Sequence, residues 1–123
     1  MSYILEVDED QLKHISKALD FYSKIQMGYL AELVNPYMIA LPDADYALVD
    51  EKIKDLKKSM FPNLPENAYF SIRSKHIPDN IKQMVDIVDV INHQLKIDNN
   101  APALNKPFHW SNEKDLPILR KAD

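Results

Sequence analysis

One glycine, Gly28, serves the whole 123-residue chain, and this limits the fold and its chemistry more than any other feature. A phosphate-cradling P-loop, a glycine-rich dinucleotide turn and a glycine nucleophile elbow all need backbone that only glycine permits. None of them can be built here. Cysteine is absent. That removes disulfides, Cys-based zinc sites, iron–sulfur clusters and thiol nucleophiles, and it fits a reducing compartment. With 46% apolar residues the chain can build one core rather than two. A single helix-rich domain is expected over residues 1–100. An extended C-terminal arm, packed in part, follows over 101–123.

No apolar run approaches the roughly 20 residues that cross a bilayer. The opening MSYILEVDED is acidic, unlike a signal peptide. A soluble cytoplasmic protein with no membrane partner is expected. The net charge is −4 and its signs are interspersed, which disfavours broad electrostatic binding of nucleic acid.

Apolar spacing then divides the chain. Residues 2–7 (SYILEV) are β-branched and aromatic enough for a short strand. Asp8 suits an N-cap, with Glu9 and Asp10 favourable in the first turn. Leu12, Ile15, Leu19, Tyr22, Ile25, Tyr29 and Leu33 keep helical spacing, so a long first helix is expected from Glu9 to about Val34, ended by Asn35 and Pro36. Its second half is apolar on more than one face, as buried helices are. Gly28 falls there, either for close approach by a backbone or ligand, or as a tolerated accident.

Residues 37–41 (YMIAL), closed by Pro42, suit a strand or a buried connector. Asp43 or Asp45 can cap a second helix to about Met60, with a narrow stripe of Tyr46, Val49, Ile53, Leu56 and Met60. Residues 68–73 (AYFSIR) suit a strand. Pro78 opens a third helix, to about Ile97, with the stripe Ile81, Met84, Val88, Ile91 and Leu95. The expected fold is α+β and helix-dominated: three helices, the first longest, with two or three short strands. The extra apolar faces, above all around Tyr22, Met27, Gly28 and Tyr29, point to close packing and a homo-oligomer.

The best candidate site is SIRSKHIPD. Ser71, Arg73, Ser74, Lys75 and His76 precede a helix start, whose unpaired N–H groups and dipole favour anions. A guanidinium, an ammonium, an imidazole and hydroxyls would together suit phosphate or carboxylate. The structural alternative is a solvated turn with ordinary capping. Asp86, Asp89 and His93 share one helix face and form a weaker candidate metal site; as surface residues they need no metal. Phe108 and Trp110 could stack on a base, or simply cover the edge of the core. No cofactor is implied.

The segments ALDFYSKIQMG, SIRSKHIPD and DIVDVINHQL resemble a family of small phage and prophage proteins. That family carries a similar AL-x-x-YS-x-x-x-MG helix and a later S-x-x-I-P-D turn. Tyr29 stands where the family pattern has glutamine. The resemblance covers about three quarters of the chain. It implies a phage origin, action in the host cytoplasm and modulation of the host, for example counter-defence. Three functions follow as expectations. The first is a non-enzymatic protein that sequesters a small phosphorylated ligand, such as a nucleotide immune signal. The second is an inhibitor or adaptor that binds a host protein. The third is a phosphoesterase with a metal on Asp86, Asp89 and His93.

Overall fold

The computed structural model describes residues 1–34, 43–112 and 115–122. The first helix, α1 (Glu9–Gln26), opens on a reciprocal cap. The Asp8 carboxylate accepts the Gln11 N–H at 2.7 Å, and the Gln11 side chain accepts the Asp8 N–H at 2.9 Å. Two donors that the helix leaves over are thereby satisfied.

The helix stops well short of the expected Val34. Gly28 takes φ +98°. Its N–H donates to the Ile25 carbonyl at 3.1 Å, and the Tyr29 N–H donates to the Lys24 carbonyl at 2.9 Å. This is a Schellman closure, which a left-handed glycine permits. A 3-10 helix over Leu30–Val34 follows. It buries Leu30, so the apolar pattern runs on through a break in the helix. A Cβ on Gly28 would lie 3.0 Å from Leu64 Cδ1 and 3.7 Å from Tyr69 Cα. Both the backbone angle and the close approach require glycine.

The second helix, α2 (Tyr46–Met60), is capped by Asp45, whose carboxylate accepts the Leu48 N–H at 3.1 Å. It ends where the Phe61 N–H returns to the Lys57 carbonyl, just before Pro62. The third helix, α3 (Asp79–Asp98), starts after Pro78 and is longer than α1. Its end repeats the closure of α1 on an asparagine. Asn100 has φ +55°, its N–H reaches the Ile97 carbonyl, and the Ala101 N–H reaches the Lys96 carbonyl. Asparagine enters this region more readily than most side chains.

The expected strands are not there. The described residues contain no strand, and the fold is helical rather than α+β. Residues 2–7 have strand-forming side chains but no ladder partner, and propensity without a partner builds no sheet. Residues 68–73 use their backbone elsewhere: the Phe70 N–H donates to the Met27 carbonyl at 2.8 Å, and the Ala68 carbonyl accepts from the Lys57 ammonium. Residues 37–41 lie outside the described part.

The chain divides into two compact units, Met1–Asp20 with Pro78–Asp123, and Phe21–Ile77. In the first, α3 buries Ile81, Val88, Val90 and Ile91, and the Ser16 hydroxyl donates to Asn92 at 3.0 Å. In the second, Leu30, Ser23 and Ile77 are buried.

Candidate functional site

The residues over 71–77 form successive turns anchored by buried Ile77. The Arg73 N–H donates to the Ser71 hydroxyl at 3.2 Å, and the His76 N–H donates to the Ser74 hydroxyl at 3.1 Å. Each hydroxyl accepts the backbone N–H two residues on and keeps a proton to give outward. Arg73, Lys75 and His76 are exposed, and the His76 ring sits 5.1 Å from the Phe70 ring. No acid occurs between Glu66 and Asp79. Ser71, Arg73, Ser74, Lys75 and His76 thus share one donor-rich turn. The helix start beside it is less purely cationic than expected. Pro78 supplies no capping side chain, and Asp79 stands in the first turn.

The Asp79 carboxylate is already engaged. It accepts the Asn112 N–H at 2.7 Å and the Gln83 side-chain amide at 2.9 Å. These bonds, the Asn112 one first, hold its carboxyl below the usual range. Asp79, Asp86 and His93 recur every seven residues on one face of α3, opposite the apolar stripe. Each takes hold of the C-terminal arm. Asp86, 2% exposed, accepts the Trp110 N–H at 2.6 Å, the Ser111 N–H at 3.2 Å and the Ser111 hydroxyl. His109 Nε2 stands 4.0 Å from the same carboxylate. His93 Nε2 lies 2.7 Å from the Leu104 carbonyl, to which it must donate. The arm therefore runs back along α3, from Leu104 at His93 to Asn112 at Asp79.

Trp110 also donates its indole N–H to Asp89 at 2.9 Å, and its ring stacks on Phe108 with centroids 5.1 Å apart. Burial raises the Asp89 carboxyl above its usual range; the Trp110 bond opposes this, and the charges of Asp86 and Asp20 add to it. Asp86, Asp89 and His93 thus hold the arm instead of forming a metal site. Among the described residues no cluster of three or more acids and histidines could hold a metal ion. Phe108 is half exposed. Beneath the arm lies a cleft of about 300 Å³ lined by Gln83, Asp86, Ile87, Asp115, Leu116 and Pro117.

At the end of α1, Gly28 packs on Leu64 and Tyr69 of its own chain, and Tyr29 stacks on Tyr69 with centroids 3.8 Å apart. Burial raises the Tyr29 hydroxyl above its usual range, with the Tyr69 hydrogen bond next in weight. Of the four residues expected to pack closely or join subunits, Tyr22 is exposed, Met27 and Tyr29 are half-buried and Gly28 is buried.

Two residues that hold these segments escape a reading by stripe. Asp86 is buried on the face that periodicity assigns to solvent. Lys57, 9% exposed, sits off the α2 stripe and donates to the Glu66 carbonyl at 2.8 Å and to the Ala68 carbonyl. The heptad spacing of Asp79, Asp86 and His93 is the signal that could have marked the first. Nothing in the local sequence marks the second.

No protein-family model matches the chain, and no curated protein or solved structure does. The likeness to phage proteins rests on the short motifs quoted above. No helix among the described residues is long and apolar enough to cross a membrane.

Proposed function

We propose that the protein is a non-enzymatic binding protein that takes a small phosphorylated ligand on the turn of residues 71–76. One observation carries this reading. The Ser71 and Ser74 hydroxyls accept the backbone N–H groups of Arg73 and His76 and so offer protons outward, beside the exposed side chains of Arg73, Lys75 and His76. Such a turn offers donors and positive charge and no carboxylate of its own, which suits phosphate oxygens. Arg73 makes the two-pronged contact, Lys75 and His76 add charge or a further donor, and the serines fix orientation. The phage-like motifs make a nucleotide signal of the host a fitting ligand, sequestered rather than turned over.

Calorimetry with inorganic phosphate, a mononucleotide and a dinucleotide tests this. Arg73→Ala is expected to weaken binding roughly 10- to 100-fold, the worth of one charged hydrogen-bonded contact. Its circular dichroism is expected to match the parent. Full affinity in Arg73→Ala removes the turn as the site.

A second reading, capture of a host protein, is favoured by the amino-terminal segment. Tyr3, Ile4 and Leu5 are 89%, 97% and 75% exposed on a chain with strand-forming residues. Strand addition to a partner's sheet edge uses such segments. Polar substitution of these three residues would abolish that complex, and Arg73→Ala would leave it intact.

A further inference from the structure

The turn that offers donors to a phosphate also carries a ring. His76 is exposed, yet its imidazole is backed. The Phe70 ring lies 5.1 Å away, tilted by 40°, and Phe61 meets Phe70 edge-on at 6.1 Å. Such contacts steady a ring that would otherwise sample several rotamers in solvent. The backbone around it is held as well. The Phe70 N–H donates to the Met27 carbonyl at 2.8 Å, and Ile77, the residue after the histidine, is buried. The imidazole is therefore packed against Phe70 and still open to a second ring.

The bond from the His76 N–H to the Ser74 hydroxyl, 3.1 Å long, sets the spacing between ring and donors. The hydroxyl that offers its proton outward rests on the backbone of the residue that carries the ring. A phosphate on Ser74 would lie within a side chain's length of the imidazole. In a nucleotide a sugar of similar length separates the phosphate from a planar base. Phe108 and Trp110 belong to the other unit and stack on each other, and Tyr69 is already stacked on Tyr29 at 3.8 Å. His76 is the ring that the turn itself presents.

We infer that His76 is a specificity-determining residue: its imidazole, backed by Phe70, stacks on the base of a nucleotide whose phosphate the turn holds. This rests on the phosphate reading above and narrows its ligand to a phosphoester that carries a planar heteroaromatic ring. Inorganic phosphate and a sugar phosphate use the donors alone. A purine offers the imidazole more face than a pyrimidine, and stacking accepts either because every base has a π-face.

Calorimetry on the full chain with inorganic phosphate, ribose phosphate and adenosine monophosphate tests it. The parent is expected to bind the mononucleotide about tenfold more tightly than ribose phosphate, the worth of one stacked base. His76→Asn keeps a donor and removes the ring, and is expected to bring the two ligands level. His76→Phe keeps a ring and loses the nitrogens, and is expected to retain the preference. His76 is exposed, so the circular dichroism of both variants is expected to match the parent's. In proton spectra, the imidazole signals that His76→Asn removes are expected to move upfield with the mononucleotide, by its ring current, and not with ribose phosphate. No binding of any of the three ligands overturns the inference together with the phosphate reading. Binding that Arg73→Ala weakens but that shows no preference for the mononucleotide overturns this inference alone. So does a preference that His76→Asn leaves intact.

Discussion

Each of the two units holds down a segment that has no sheet to join, and each does so with one buried charge on a helix. In the first unit the carboxylate of Asp86 gathers donors: the N–H groups of Trp110 and Ser111 and the Ser111 hydroxyl. In the second the ammonium of Lys57 gathers acceptors: the carbonyls of Glu66 and Ala68. The sign of the charge follows which side of the backbone is turned towards the helix. A strand neighbour would have satisfied both sides at once, and here a single side chain satisfies one. The two solutions are not equal, because a buried N–H without a partner is rarer and less tolerated than a carbonyl with one lone pair unused.

That inequality can be tested by removing each charge while keeping its bulk. Asp86→Leu strands the donors of Trp110 and Ser111 and is expected to cost about 3 kcal/mol, measured from urea midpoints. The arm is expected to become sensitive to protease. Lys57→Met keeps the aliphatic stem and loses only the ammonium, with an expected cost of about 2 kcal/mol. If Lys57→Met costs more than Asp86→Leu, the ranking of donor and acceptor loss is reversed for this protein.

The smallest effect sharpens the comparison within the first unit, where Asp79 and Asp89 respond to acid with opposite signs. The folded chain holds the Asp79 carboxyl below its usual range, through Asn112 and then Gln83. Its contribution is present above the unfolded value and is lost as pH falls through the lowered one. Asp89 is raised, chiefly by burial, so the folded chain binds its proton more tightly than the unfolded chain does. Its ionisation therefore opposes folding: the penalty is absent in acid and grows as pH rises through the carboxylate range. Asp89→Asn keeps an acceptor for the Trp110 indole and removes the titration. A slightly higher melting temperature than the parent is expected at neutral pH, with the difference vanishing in acid. A drop at neutral pH would show that the Asp89 charge itself holds the arm.

These contrasts also mark how far the sequence could be read. The caps at Asp8 and Asp45, the start at Pro78 and the stop at Asn99 and Asn100 are local chemistry, and each lies where the side chains place it. The stripe of α3 is periodic and was legible for that reason, whereas of the α2 stripe only Val49 and Ile53 are half-buried and Tyr46, Leu56 and Met60 are exposed. The end of α1 was not legible, because Leu30 and Leu33 continue the apolar series on a 3-10 helix after Gly28 has turned the chain. The strands failed for another reason. SYILEV and AYFSIR have the side chains of strands, but a ladder is a property of two segments, and no second segment is written into either. The donor-rich turn was visible as composition, while its serine bonds depend on backbone angles. Asp86 looked like surface because its cover arrives from Trp110 and Ser111, far along the chain and without any period. Lys57 was invisible for the same reason: its partners are carbonyls, which every residue has.

Trp110 is the only tryptophan in the chain, and it stacks on Phe108 with its indole N–H on a carboxylate. The tryptophan fluorescence of this protein is therefore the light of a single residue on the arm. Its wavelength and yield follow how closely that arm lies along α3, and they say little about helices that unfold elsewhere. A spectrum that shifts before the far-ultraviolet dichroism changes would be the optical signature of the arm lifting from an otherwise folded helix.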